Sequence, residues 1–110
     1  MSGSISRLSG TISIDMETRS ALDLKKCGVY RYSMDPSTDV WCIAWCLEGE
    51  GIQVWEPGDP FPEKIRAHAG RGGSFSAWNA QFERLIWRQI LEPKYGWSSL
   101  EIDQWHCTQG

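Results

Sequence analysis

Positive charge is scarce in this sequence. Eleven Lys and Arg face fourteen Asp and Glu, for a formal net charge of −3, so no global field draws in a polyanion. Any nucleic-acid contact must come from local basic clusters, of which Lys25, Lys26 and Arg31 form one and Arg84 and Arg88 another. No apolar run approaches the length of a membrane span, and the polar, small residues of Met1–Gly10 contain no apolar signal core. The expected setting is therefore cytoplasmic, with no membrane contact and reduced thiols. The four cysteines, Cys27, Cys42, Cys46 and Cys107, form no CxxC pair and have no matching His pair, which argues against zinc. Internal repeats and low-complexity tracts are absent as well.

Tryptophan is abundant. Seven Trp in 110 residues argue for a folded core, because disordered chains are poor in aromatics. The length suits one domain or part of one. Residues 1–10 read as a loose leader and 11–110 as the domain.

Thr11–Glu17 alternates, with Ile12, Ile14 and Met16 on one face and Ser13, Asp15 and Glu17 on the other. That is a strand with one buried face. A short helical turn is expected within Ser20–Tyr32, capped by Asp23 and ended by Gly28. Val40–Leu47 is a continuous apolar run, expected to be a central strand buried on both faces. With Ile52–Trp55 it reads as a β-hairpin around the turn 48–51. Asp59 followed by Pro60 marks a helix start, and Gly70, Gly72 and Gly73 end that helix. Ser74–Trp78 is a brief strand. Asn79 caps a helix over Ala80–Leu91, whose Phe82, Leu85, Ile86 and Ile90 form one apolar stripe, and Pro93 and Gly96 close it. Leu100–Cys107 reads as a last strand. The order is an α/β pattern.

Asp15 and Glu17 stand at i and i+2, so both carboxylates leave one face of the strand. Two like charges there repel unless a cation sits between them, and Mg²⁺ or Mn²⁺ prefers such hard oxygen ligands. On spacing alone, two solvated acids on an exposed face are the commoner case.

The surrounding residues shift that balance. Asp15-Met16-Glu17-Thr18 resembles the first motif, Asp-x-Glu-Thr, of the DEDD exonuclease superfamily. The likeness continues through Ala21–Tyr32, Pro36–Val40, Trp55–Pro60 and Asn79–Arg84, with Tyr95-Gly96-Trp97 and Trp105–Thr108 as later landmarks. Together these stretches resemble the 3′–5′ exonuclease domain of bacteriophage-type family A DNA polymerases. The resemblance implies a ribonuclease H-like α/β fold, a mixed sheet of about five strands with flanking helices. The implied activity is two-metal phosphodiester hydrolysis at a single-stranded DNA 3′ end.

Residue by residue, the resemblance implies that Asp15 and Glu17 hold Mg²⁺ or Mn²⁺ ions, with Glu83 in the second motif as a further acidic ligand. Asp15, Glu17 and Glu83 are thus the implied catalytic set. Thr18 would lie beside the 3′-terminal nucleotide, and Met16 near its base or in the core. Asn79 opens the second motif and joins the nucleic-acid contacts. The position before it commonly carries His in relatives and is Trp78 here. The third motif, a Tyr or His shortly before a last Asp, would lie on a later helix than any in these residues. Asp103 comes too early for it, and His106 reads as strand-end packing or surface.

Two states stay open: a 3′–5′ exonuclease or a truncated form of one, and a non-catalytic remnant that binds DNA ends or a partner. Without a covering helix, Ile12, Ile14 or the run Val40–Leu47 would face water. The expectation is a homodimer or pairing with the remainder of a polymerase, through a Trp-rich surface; the alternative is a monomer in which Trp97 to Cys107 fold back and cover the gap.

Overall fold

Alternation of apolar and polar residues over 11–17 makes β1 (Thr11–Arg19) a strand with two unlike faces. Ile12, Ile14 and Met16 are buried, whereas Ser13, Asp15 and Glu17 are exposed. The structure, a computed structural model, describes residues 10–108. The leader expected over residues 1–10 lies outside the described residues except for Gly10.

Chain order after β1 is α1 (Leu24–Cys27), α2 (Val29–Met34), β2 (Asp39–Leu47), β3 (Gln53–Trp55), α3 (Glu63–Gly70), β4 (Ser74–Ala77) and α4 (Ala80–Ile86). A π-helical turn (Trp87–Leu91), α5 (Glu92–Tyr95), a 3₁₀ turn (Ile102–Gln104) and β5 (Trp105–Cys107) complete it. The five strands form one sheet in the order β3-β2-β1-β4-β5. β2 runs antiparallel to both β1 and β3, while β1, β4 and β5 are parallel. This mixed α/β sheet with flanking helices is consistent with the ribonuclease H-like fold. The expected neighbours, Thr11–Glu17 and Val40–Leu47, are paired, with Asp15 opposite Ala44 and Glu17 opposite Cys42.

One face of the sheet carries the core. Ile12, Ile14 and Met16 of β1, Ile43 and Trp45 of β2 and Phe75 of β4 meet Ile65 of α3, Ile86 of α4 and Trp87, Ile90 and Leu91 of the π turn. Trp87 is 1% exposed and donates its indole N–H to the Ser98 carbonyl at 2.8 Å. Trp97 is packed by Phe61 at 4.7 Å and by Trp55 and Trp87 at 5.0 Å. Aromatic surface of this size supplies much of the burial in a small domain.

The opposite face is open. Val40–Leu47 was expected to be covered on both sides, and it is not: Cys42, Ala44 and Cys46 are half-buried and Trp41 is 64% exposed. Ile65 of α3, Ile86 of α4 and Trp87 of the π turn join the cluster on the Ile43 and Trp45 side, so an apolar run does not by itself report two covered faces. Ile12 and Ile14 do not face water. Nor is the surface rich in Trp: Trp45, Trp55, Trp87 and Trp97 are buried and Trp105 is half-buried. Only Trp41 and Trp78 are exposed.

Local signals fared unevenly. Asp23 caps α1 by accepting from Lys25 N–H, and Gly28 takes the positive φ (83°) that separates α1 from α2. The helix expected from Asp59 starts later, at Glu63. The Asp59 carboxylate is taken by Glu56 N–H and its carbonyl by the Trp55 indole, so it closes a loop instead of capping a helix. Pro93 does not end the long helix: the π turn before it absorbs the change of register, and the chain stays helical to Tyr95. Gly96 (φ 73°) makes the stop. The strand expected over Leu100–Cys107 shrinks to Trp105–Cys107, because Glu101 and Gln104 form a capping box around a 3₁₀ turn.

Candidate functional site

β1 is the middle strand, and its two neighbours leave it unequally covered. Pairing with β4 spans only Thr11 to Ser13, matched to Ser74, Phe75 and Ser76. Beyond Ser13 the β4 side of β1 is free of strand partners, and α4 approaches there instead. Asp15 and Glu17 project from this stretch onto the open face, as the alternation requires. A β-bulge follows between Glu17 and Thr18, leaving Trp41 as the unpaired residue of β2. Bulges of this kind re-aim side chains at the ends of pairing.

α4 brings the third carboxylate. Asn79 accepts a hydrogen bond from Phe82 N–H at 3.4 Å and so fixes the start of the helix. Glu83 then falls in the first turn. It is 6% exposed, and its Oε1 has no hydrogen-bond partner. Burial pushes its carboxyl up, and the Asp15 charge adds to this. The amides of Glu83 itself and of Met16 pull in the opposite direction, and the net result is a carboxyl pushed up to about 7. A buried acid with an orphaned oxygen beside another carboxylate is poorly satisfied as it stands.

The remaining predicted residues divide. Met16 is 6% exposed within the core, so of its two expected places, near a base or in the core, it takes the second. Thr18 Oγ1 lies 2.9 Å from the Tyr32 hydroxyl, which packs its ring 6.1 Å from Phe82 and ties α2 to α4. Asn79 is exposed and serves as the cap. Asp15 and Glu83 are brought together, whereas among the described residues no three His, Cys, Asp or Glu converge closely enough to enclose one ion.

Negative potential spreads over the open face. Burial raises the Cys42 thiol above its usual range, and the charges of Glu17, Glu56 and Asp15 raise it further. Trp78 was not anticipated as a feature of the site. Continuing the β1–β4 register two residues past Ser13–Ser76 places it level with Asp15, and its side chain is 68% exposed. Its position beside the second motif was the signal available in the sequence.

The donor set suits a hard divalent cation by chemistry, and the orphaned Glu83 oxygen is where such an ion would supply the missing partner. Mg²⁺ commonly binds through one or two carboxylates plus water and substrate phosphate, and Asp15 and Glu83 are two carboxylates near enough for one charge to act on the other.

Among the described residues no helix is long and apolar enough to cross a membrane. No protein-family model matches the chain, and no solved structure matches it. The chain is similar to a DNA polymerase of Bacillus phage SP02, with 31% identity over 101 residues. That match covers 89% of this chain and 15% of the polymerase, so the chain spans about 15% of the length of this curated relative. The protein is thus related in sequence to a segment of a phage DNA polymerase.

Proposed function

We propose that this chain carries the metal-binding part of a 3′–5′ exonuclease site of the proofreading kind, acting on single-stranded DNA ends. The observation that carries the reading is the Glu83 carboxyl: buried, unpartnered at Oε1, and raised by the adjacent Asp15. Such a group is costly to keep for stability alone and is well suited to a cation. Similarity to a phage DNA polymerase supports the same direction.

In this reading Asp15, Glu17 and Glu83 hold Mg²⁺ or Mn²⁺, and a pair of such ions would activate water and stabilise the departing 3′ oxygen. The chain's own residues do the positioning. β1 fixes the spacing of Asp15 and Glu17, and the Asn79 cap sets the turn of α4 that aims Glu83 at them. Thr18, held by Tyr32, would border the terminal nucleotide. The exposed Asn79 would lie within reach of the strand. The setting is the cytoplasm of a bacterial or phage-infected cell.

The open face favours a second role beside this one. Trp41, Ile52 and Val54 are 64%, 75% and 60% exposed, respectively. That face suits a partner, either the remainder of a polymerase or a second copy of this chain. A remnant that binds DNA ends or a partner without cleaving them would keep this surface and lose the chemistry.

The test is degradation of a 3′-labelled single strand with Mn²⁺ by wild type, Asp15→Ala and Glu83→Gln. The expected result for the 110-residue chain alone is slow, metal-dependent shortening, because the third motif is not among its residues and interdependent sites lose orders of magnitude when incomplete. Shortening that persists unchanged in Asp15→Ala would overturn the assignment. Binding of 3′ ends without any cleavage would favour the non-catalytic remnant.

A further inference from the structure

A cleft lies between α4, the π turn and the segment that leads into β5. It measures about 150 Å³, and Arg84, Arg88, Glu92, Ser99, Ile102 and Trp105 are among its walls. Arg84 and Arg88 are one helical turn apart and therefore neighbours on the helix surface. Among the described residues the ion pairs are Lys64–Glu50, Arg66–Glu63 and Lys94–Asp39. Neither guanidinium of the cleft has a carboxylate partner there. Glu92 is the acid closest at hand in the cleft, and it is engaged: its carboxylate accepts from Ser99 Oγ at 3.0 Å.

The π turn shapes this wall. Glu92 N–H bonds to the Trp87 carbonyl, five residues back, so the turn is widened between Arg88 and Glu92. The widening displaces Glu92 from the i+4 position below Arg88 that a regular α-helix would give it. Two like charges are thereby left side by side in one concavity without a carboxylate partner, which is mildly unfavourable for the helix and favourable for an anion. Trp87, Leu100, Ile102 and Trp105 make the apolar part of the wall. Trp105 is half-buried against Trp87 at 5.6 Å, and Ile102 is 71% exposed at the rim.

We propose that this cleft is a phosphate-binding subsite, taking the phosphate of a nucleotide or of a nucleic-acid backbone between Arg84 and Arg88. Planar guanidinium forks match phosphate oxygens in pairs. The apolar rim of Ile102 and Trp105 would accept the sugar or base attached to it. The proposal goes beyond the metal reading and does not need it, since the cleft contains neither Asp15 nor Glu17 nor Glu83.

The test is calorimetric titration in EDTA, so that metal plays no part, with inorganic phosphate, thymidine monophosphate and an oligo-thymidine single strand as probes. Proteins are wild type, Arg84→Gln/Arg88→Gln, Arg84→Lys/Arg88→Lys and Lys64→Gln. Expected are saturable binding that weakens with salt and a loss of about ten- to a hundredfold in the Gln pair, as for losing charge-assisted hydrogen bonds. The Lys pair should recover only part of it, and Lys64→Gln, which removes an exposed charge outside the cleft, should bind as wild type does. Equal affinity for the mononucleotide and the strand assigns the site to free nucleotides; strand binding alone assigns it to backbone phosphate. Unchanged affinity in the Gln pair, or no saturable binding of any probe, overturns the proposal. Should the Gln pair fail to fold by circular dichroism, the exposed single variant Arg88→Gln decides in its place.

Discussion

Glu83 of α4 lies close enough to Asp15 of β1 for the Asp15 charge to raise its proton affinity. The two groups come from distant parts of the chain and meet where β4 stops pairing with β1. Proton and metal should therefore compete for one site. Mn²⁺ affinity, weak and at about millimolar metal, should rise with pH as Glu83 loses its proton and level off above about 7. Mn²⁺ relaxation titrations at pH 6 and pH 8 would measure this. Asp15→Ala should remove most of the binding, and Glu83→Gln should remove its pH dependence. Equal affinity in wild type and Asp15→Ala would rule out a site at this pair.

The same carboxyl sets a slope in stability. Its folded value, about 7, lies above its ordinary value of 4.5. Between those limits the unfolded chain has lost the proton and the folded chain keeps it. Stability is then fully present below about 4.5 and lost as pH rises through about 7. The loss has an upper bound on the order of 3 kcal/mol, at about 1.4 kcal/mol per pH unit. Glu83→Gln should flatten this slope and raise the urea midpoint at pH 8, with little change at pH 4.5. A destabilised Glu83→Gln at pH 8 would show that the ionised carboxylate has partners in solution that offset its burial.

The strand carrying Asp15 and Glu17, the hairpin after it and the Asn79 cap were legible because each rests on short-range rules: alternation, turn residues and side-chain capping. The unpartnered state of Glu83 was not, since it depends on where β4 stops and how closely α4 then approaches β1. Trp41 shows the same limit. It sits inside an apolar run that reads as doubly buried, yet a bulge opposite Glu17 and Thr18 turns it out to solvent. The π turn left no local signal that would distinguish it from regular helix. Pro93 marked the place and was read as the end.

Asp39 clasps the end of α5 to β2. Lys94 Nζ reaches its Oδ2 at 2.6 Å and the Tyr95 hydroxyl donates to its Oδ1 at 2.9 Å. Burial alone would raise the carboxyl, but the hydrogen bonds from Lys94, Val40 N–H and Tyr95 outweigh it and hold it below its ordinary value. Its contribution is present above that ordinary value, 3.8, and is lost as pH falls through the lower folded value. Asp39→Asn should cost about 1.5–3 kcal/mol at pH 7, the range for hydrogen bonds to a charged group. Urea melts at pH 7 and pH 3 would show it as a difference that narrows with acid. Tyr95→Phe should reproduce a smaller part of the loss.

The open face of the sheet makes the last prediction. Ile52 and Val54 are 75% and 60% exposed, and Trp41 is 64% exposed, all beside the half-buried Ala44 and Cys42. Leaving one large apolar side chain in water forgoes about 1.5–3 kcal/mol of burial. Three together are comparable with the net stability of a small domain, roughly 5–15 kcal/mol. Contiguous apolar surface on this scale marks an interface. The chain alone should therefore self-associate through this face, and light scattering over a dilution series should show its mass falling as concentration falls. The double variant Ile52→Lys/Val54→Lys should be monomeric at every concentration. Both positions are exposed and outside the core, so the variant should melt as the dilute wild type does. A wild-type chain that stays monomeric at micromolar concentration, with a melting temperature independent of concentration, would exclude self-association and leave the face to a different partner.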